Sequence, residues 1–172
     1  DYRKLFENNR QLNVRLFAGA FLFNDTKQSD DFFSFALDRP TDYLFDYAYY
    51  GRSEDAGLFS QQLIEAEGGF KSNLEVAYAN SWMTTINAST NIWRWILIYA
   101  DAGLANNTNT GTKAVFDSGV RINLVQNYFE VYFPLYSSLG WETGQDNYDQ
   151  KIRFKITLSP KTLLGLFTRE WY

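Results

Sequence analysis

Glu65 and Glu67 come nearest, in residue type and spacing, to a catalytic arrangement. A pair of carboxylates acts as acid and base in glycoside hydrolysis, where the two groups flank a sugar cleft at a set separation. Two positions apart on a strand, however, both side chains point to the same face, so no cleft lies between them. We therefore interpret this pair as part of a polar face, and we predict no catalytic, cofactor-binding or metal-binding residue in the chain.

The composition excludes several other kinds of chemistry. The 172 residues include no histidine and no cysteine, which rules out imidazole and thiolate zinc sites, Ser-His-Asp triads, Cys-His pairs and a disulfide scaffold. The net charge of −4 argues against a nucleic-acid partner. We expect a single domain over residues 1–172, which reads as a mature form or an excised portion of a longer protein.

The elements that must position these side chains are predicted to be strands, because apolar and polar residues alternate with a period of two. No stretch approaches the 18 apolar residues of a transmembrane helix. The alternating runs cover residues 13–23, 33–38, 64–70, 82–88, 93–99, 116–124, 128–135 and 152–158. Turn-forming residues predict loops at 24–31, 89–91, 106–112 and 140–150.

Charge is confined to one face of each run. On a membrane barrel, a Lys or Arg facing lipid at the bilayer midplane costs about 2–4 kcal/mol, so an uncharged face is what lipid requires. The opposite faces carry charges that we predict to face the lumen: Arg15, Glu65, Glu67, Arg94, Asp117, Arg121, Glu130, Arg153 and Lys155. Their near balance favours a narrow lumen packed by paired side chains over an open channel.

Two further features favour a membrane barrel over a soluble one. Short and long connections alternate, except at residues 40–60, and aromatic residues cluster near predicted strand ends as interfacial girdles do. These aromatic residues are Tyr43, Tyr47, Tyr49, Tyr50, Trp82, Tyr136, Trp141, Trp171 and Tyr172. The predicted fold is all-β, an antiparallel up-and-down transmembrane β-barrel of about eight strands. A stand-alone pore and a soluble, lipocalin-like ligand-binding barrel with water-facing charges remain as alternatives.

Several stretches resemble a known family. They are residues 39–47 (RPTDYLFDY), 50–53 (YGRS), 57–62 (GLFSQQ), 117–126 (DSGVRINLVQ), 130–137 (EVYFPLYS) and 159–169 (SPKTLLGLFTR). Together they resemble the C-terminal outer-membrane β-barrel region of M1-like (gluzincin) membrane metallopeptidases of Bacteroidetes type. In that family a zinc aminopeptidase-like domain with a His-Glu-x-x-His helix precedes the membrane region, and none of its zinc ligands maps onto this chain.

The resemblance implies a membrane anchor in the bacterial outer membrane rather than the enzyme itself. Its implied partners are the lipid bilayer, an upstream peptidase domain and other outer-membrane proteins. It also implies that further strands of a larger barrel lie upstream of Asp1.

Overall fold

The computed structural model describes residues 1–7, 10–24, 34–37, 69–72, 74–76, 78–125 and 129–156, and of residues 155 and 156 only the backbone. Within these ranges the chain is mostly antiparallel sheet. The strands are β1 (Tyr2–Leu5), β2 (Gln11–Ala20), β3 (Phe35–Ala36), β4 (Tyr78–Ala79), β5 (Trp82–Asn91), β6 (Ile96–Asn107), β7 (Gly111–Val125), β8 (Phe129–Ser137), β9 (Gly140–Trp141) and β10 (Arg153–Ile156).

Eight of these strands form one sheet in the order β1-β2-β5-β6-β7-β8-β10, with β9 paired to β8, while β3 and β4 form a separate two-stranded sheet. From β5 to β8 each strand pairs with the next one along the chain, which is up-and-down order. The prediction of an all-β, antiparallel fold is confirmed. The outer strands of the sheet are β1 and β10, and within the described part of the chain no pairing joins them.

The central hairpins are longer than predicted. The loop expected at 106–112 shrinks to residues 108–110, because Gly111 takes a φ of 74° and closes a three-residue turn that pairs Asn107 with Gly111. The turn expected at 89–91 is also wrong, since β5 continues to Asn91 and the chain reverses over residues 92–95 instead. Turn-forming residue types therefore mark these hairpins, but strand pairing decides where each hairpin closes.

The second predicted strand does not belong to the main sheet. Phe35 and Ala36 pair with Ala79 and Tyr78, and residues 34–37 are buried on both faces. Of the third predicted run only the end is described, where Gly69 and Phe70 lie outside any strand. Both segments belong to the long connection from β2 to β5, two strands that are hydrogen-bonded neighbours. The rest of the run predicted at 64–70 lies outside the described residues.

The connection contributes a small apolar core. Phe35, Leu37, Phe70 and Leu74 pack against Ala79 and against side chains of one face of the main sheet, namely Met83, Ala105 and Val115. The Phe70 backbone N–H donates to the Leu37 carbonyl at 2.8 Å, which joins the two segments. Apolar residues of the connection are therefore used to cover the sheet rather than to extend it.

Among the described residues, the helical elements are a 3₁₀ turn at Glu142–Gly144 and a short α-helix, α1 (Tyr148–Lys151), both in the connection between β8 and β10. Across the described ranges, no helix has the length and apolar character needed to cross a membrane.

Candidate functional site: the buried polar face of the sheet

The main sheet has two faces of opposite character. Directly paired residues of antiparallel strands share a face, so the register assigns each side chain. The face that includes Leu16, Ile86 and Ile98 is exposed, and none of its residues in β2, β5, β6, β7 or β8 is charged. The other face, which we call the buried face, carries Asn87, Asp101 and other polar side chains. This polarity is the reverse of that in a water-soluble sheet protein.

The buried face is organised in rows of paired residues that cross the strands. We call the end at which residues 92–95 join β5 to β6 the turn end, and the opposite end, where residues 138–152 follow β8, the loop end. From the turn end to the loop end the rows across β2, β5, β6 and β7 are Gln11-Asn91-Leu97-Arg121, Asn13-Ser89-Tyr99-Gly119, Arg15-Asn87-Asp101-Asp117, Phe17-Thr85-Gly103-Val115 and Gly19-Met83-Ala105-Lys113. Polar rows thus lie toward the turn end, and apolar rows toward the loop end.

A buried ion cluster occupies the central row. The Lys71 ammonium lies 2.7 Å from Asp101 Oδ2, and Asn87 Nδ2 donates to Asp101 Oδ1 at 2.8 Å. The backbone N–H groups of Lys71 and Ser72 donate to Asp117 Oδ2 at 2.6 and 2.8 Å. Like charges directly opposite on neighbouring strands repel, so Asp101 and Asp117 need this cation and these donors. The cluster fixes a segment of the β2–β5 connection against the sheet.

A second polar cluster lies nearer the turn end. Arg121 Nη1 lies 4.0 Å from Glu130 Oε2, and the Tyr132 hydroxyl donates to the same carboxylate oxygen at 2.8 Å. Arg153, which is fully buried beside them on β10, donates from Nη1 to the Gln150 carbonyl at 2.7 Å. These contacts give the three buried charged side chains hydrogen-bonding or ionic partners, as burial of charge requires.

Glycine makes room for an aromatic ring across β7. A Cβ atom at Gly119 would lie 2.2 Å from the Phe133 carbonyl oxygen and 2.6 Å from the Tyr99 hydroxyl oxygen. Because a side chain is absent there, Tyr99 lies over β7 and meets Tyr132 edge to face, with ring centroids 5.9 Å apart. Tyr99 also lies beneath Lys71, whose ammonium is 5.0 Å from its ring centroid.

An open cavity of about 860 Å³ lies at the turn end of the buried face. Its lining combines cationic, amide and aromatic side chains, including Arg10, Arg94, Gln11, Asn91 and Trp95. Arg94 itself lies in the exposed turn between β5 and β6 rather than in a strand. Space therefore remains at the turn end, whereas the loop end is filled by the core around Phe35 and Phe70.

A third polar cluster closes the connection after β8. The buried Glu142 carboxylate accepts hydrogen bonds from the Ser137 hydroxyl and from Lys151 Nζ, the latter at 2.6 Å. The Tyr148 hydroxyl donates to the Pro134 carbonyl at 2.9 Å. Burial, and secondarily the charge of Glu142, raises the pKa of Tyr148 above its usual value of 10.0, so this hydroxyl stays protonated as a donor.

The predicted lumen-facing residues fall into three groups. Arg15, Asp117, Arg121, Glu130 and Arg153 belong to the buried face, and the last four are the buried members of the clusters above. Arg94 lies in the turn and lines the cavity. Lys155 pairs with Glu130 through the backbone register, while Glu65 and Glu67 lie outside the described residues.

Lys71 and Asp101 are central to the site, and the sequence prediction did not include them. Asp101 follows the run predicted at 93–99, where the true strand continues to Asn107. Leu97, Tyr99 and Asp101 are alternate residues of β6 and share one face of the strand. Extending the predicted alternation by two residues would therefore have included Asp101. Lys71 lies outside any strand, so no periodicity marks it.

Chemically, the site supplies fixed charges and hydrogen-bond donors along one face of a sheet. Within the described ranges, no group of three Asp or Glu side chains comes together as a metal site would require. No protein-family model, no curated protein and no solved structure matches this chain.

Proposed function

We propose that this chain is an outer-membrane β-barrel domain that anchors a metallopeptidase-like protein. One observation carries the membrane part of the proposal, namely the reversed polarity of the sheet. Its uncharged face is open to the surroundings, with Leu16 70% and Ile86 45% exposed, while Asp101 and Arg153 are buried. Lipid favours an apolar outer face, and a barrel interior tolerates charges that pair with one another.

Strand length and aromatic placement support the same proposal. A transmembrane strand needs about 9–11 residues, and β2, β5, β6, β7 and β8 span 9 to 15. Exposed aromatic side chains lie at both ends of these strands, with Trp93 and Trp95 at the turn end and Tyr136 and Trp141 at the loop end. These are the positions in which indole and phenol rings meet the lipid headgroups.

The anchor role is supported by the resemblance to the membrane region of the gluzincin family, which lies in residues 39–47, 50–53, 57–62, 117–126, 130–137 and 159–169. A membrane barrel leaves no strand edge unpaired, so the proposal requires a pairing partner for each of the outer strands β1 and β10. The anchor role predicts a His-Glu-x-x-His segment upstream in the same gene. Sequencing of the complete gene tests it, and an upstream region without that segment would overturn the anchor while leaving the barrel.

Membrane insertion is tested with the recombinant chain. We expect a β-sheet circular dichroism spectrum in detergent micelles or lipid vesicles, and a gel band that migrates differently with and without boiling. A monomer that folds fully in buffer without detergent would overturn the proposal and favour the soluble ligand-binding barrel. The cavity at the turn end would then be the ligand site of that protein.

A further inference from the structure

The cavity at the turn end is lined by two hairpin turns and by the adjoining end of the sheet. Residues 6–10, which join β1 to β2, contribute Arg10. Residues 92–95, which join β5 to β6, contribute Arg94 and Trp95. The volume of about 860 Å³ is typical of sites that hold small molecules. The sheet adds amide side chains to the lining, namely Gln11, Asn91 and Asn123.

The charge of this cavity is positive. Among the described residues that line it, the charged side chains are Arg10 and Arg94, one from each turn, and none is an aspartate or a glutamate. Glu7, the acidic residue of the first turn, lines a separate cavity together with Lys4. Residues 8–9 and 126–128, which complete the turns at this end, are uncharged in the sequence. Two guanidinium groups in one cavity favour an oxyanion, because the planar fork of arginine matches a carboxylate.

The amide side chains give the same cavity neutral hydrogen-bonding groups. An amide offers both donors and an acceptor, so it can bind hydroxyl groups in either sense. The Gln11 side chain donates to Asn13 Oδ1, and the Gln11 backbone N–H donates to Asn91 Oδ1, which fixes the orientation of these amides. Asn123 Oδ1 is buried and has no hydrogen-bond partner within the described residues. Buried acceptors normally have a partner, and a ligand hydroxyl would supply the donor here.

We infer that the turn-end cavity binds an acidic saccharide, whose carboxylate pairs with Arg10 and Arg94. The hydroxyl groups of the saccharide bond to the amides at the end of the sheet, and one sugar ring covers the exposed indole ring of Trp95. An aliphatic acid would leave the amides without partners, so an acid that carries hydroxyl groups fits this lining better. The inference goes beyond the anchor role and does not depend on membrane insertion, because a soluble barrel would have the same cavity.

The test is isothermal titration calorimetry of the folded chain with trigalacturonate, a saccharide of three uronic-acid units. Maltotriose, which also has three rings but carries no charge, is the matched neutral probe. The chain is kept in a polyoxyethylene detergent, because a detergent with a sugar headgroup would compete for the site. We expect trigalacturonate to bind at one site per chain, several-fold more tightly than maltotriose, and to bind more weakly as the salt concentration rises.

Arg94→Gln removes one of the two cations from an exposed turn, where the substitution should not disturb folding. We expect it to weaken trigalacturonate binding several-fold and to leave maltotriose binding unchanged. Trp95→Leu should weaken the binding of both probes, because it removes the ring against which the sugar lies. Lys113→Gln, the matched control, removes an exposed cation at the loop end and should change neither affinity. If Arg94→Gln fails to fold, Arg10→Gln tests the same charge from the other turn.

Equal affinities of the unsubstituted chain for the two probes would overturn the inferred site. Equal affinities of Arg94→Gln and Lys113→Gln for trigalacturonate would do the same. Displacement of trigalacturonate by an equal concentration of sulfate would also overturn it, because a bare anion would then account for the binding. The boiling-dependent gel shift, measured on the same samples, tests the barrel separately, so binding without the shifted band would overturn the barrel and leave the site.

Discussion

Lys71 Nζ lies 2.7 Å from Asp101 Oδ2, and each side chain is only 1% exposed. The lysine comes from the connection between β2 and β5, and the aspartate comes from the centre of β6. The pair therefore joins two parts of the chain that no strand pairing of the described residues connects. A buried ion pair contributes little net stability relative to apolar packing, but loss of one partner leaves an uncompensated charge. The pair therefore specifies one docked position of residues 69–72.

Lys71→Met should lower the free energy of unfolding by about 3–5 kcal/mol, because Asp101 and Asp117 would be left buried without a cation. The measurement is urea-induced unfolding followed by circular dichroism in the medium in which the chain folds. Lys113→Met is the matched control at an exposed lysine, where a change within about 0.5 kcal/mol is expected. Equal effects of the two substitutions would show that the buried pair has no special role.

Ile86→Arg separates a lipid-facing surface from a water-facing one. Ile86 is at the centre of the uncharged face, and arginine at the midplane of a bilayer costs about 2–4 kcal/mol. We expect this variant to insert poorly into vesicles, measured as the fraction that shows the boiling-dependent gel shift. Leu139→Arg, an exposed position in the turn after β8, should insert normally. Undiminished insertion of Ile86→Arg would contradict a lipid contact, since water accepts arginine at an exposed position.

Gly119→Ala should destabilise the sheet by about 1–3 kcal/mol, because the added methyl group would overlap the Phe133 carbonyl oxygen, which belongs to the neighbouring backbone. The ring of Tyr99 would also have to leave its place over β7. Unfolding by urea measures the loss. Gly144→Ala makes the same change where no atom lies within 4 Å of the new Cβ, and it should be nearly neutral. Comparable stability of the two variants would rule out the close approach at Gly119.

Glu142→Gln should loosen the connection after β8, because the substitution removes the charge that holds Lys151 and weakens the acceptor for Ser137. Trypsin cleaves after lysine, so we expect cleavage between Lys151 and Ile152 to become several-fold faster, measured by mass spectrometry of the early fragments. Asp146→Asn alters an exposed acid in the same connection and should leave the rate unchanged. An unchanged rate in Glu142→Gln would mean that the ion pair does not restrain this segment.

Much of the sheet could be predicted from the sequence. The alternation of Phe116, Val120 and Ile122 with Asp117, Gly119 and Arg121 correctly divides β7 into its two faces. A period of two is a direct consequence of the pleat, so it needs no knowledge of neighbouring strands. The same local alternation at Phe35 and Leu37 predicted a strand of the main sheet. In the structure this segment belongs instead to the separate two-stranded sheet.

The candidate site was predictable only where its charges lie inside an alternating run. Asp117, Arg121 and Glu130 meet that condition. Lys71 does not, because its position depends on how the connection folds back onto the sheet. The prediction missed Asp101 because β6 continues beyond the alternating run at 93–99. Pairing with β7 extends β6 to Asn107.

By itself, then, the sequence determined the strand class, the two-faced pattern and the absence of imidazole and thiol chemistry, since each depends on residue type or on local geometry. The tertiary structure alone decided that residues 34–37 and 69–72 cover the buried face, and that Lys71 meets Asp101 from 30 positions away. Such contacts form only when a long connection folds back onto the sheet, and the contacting residues share no sequence periodicity. Strand register likewise brings Asp101 and Asp117 together, while Glu65 and Glu67 lie outside the described residues.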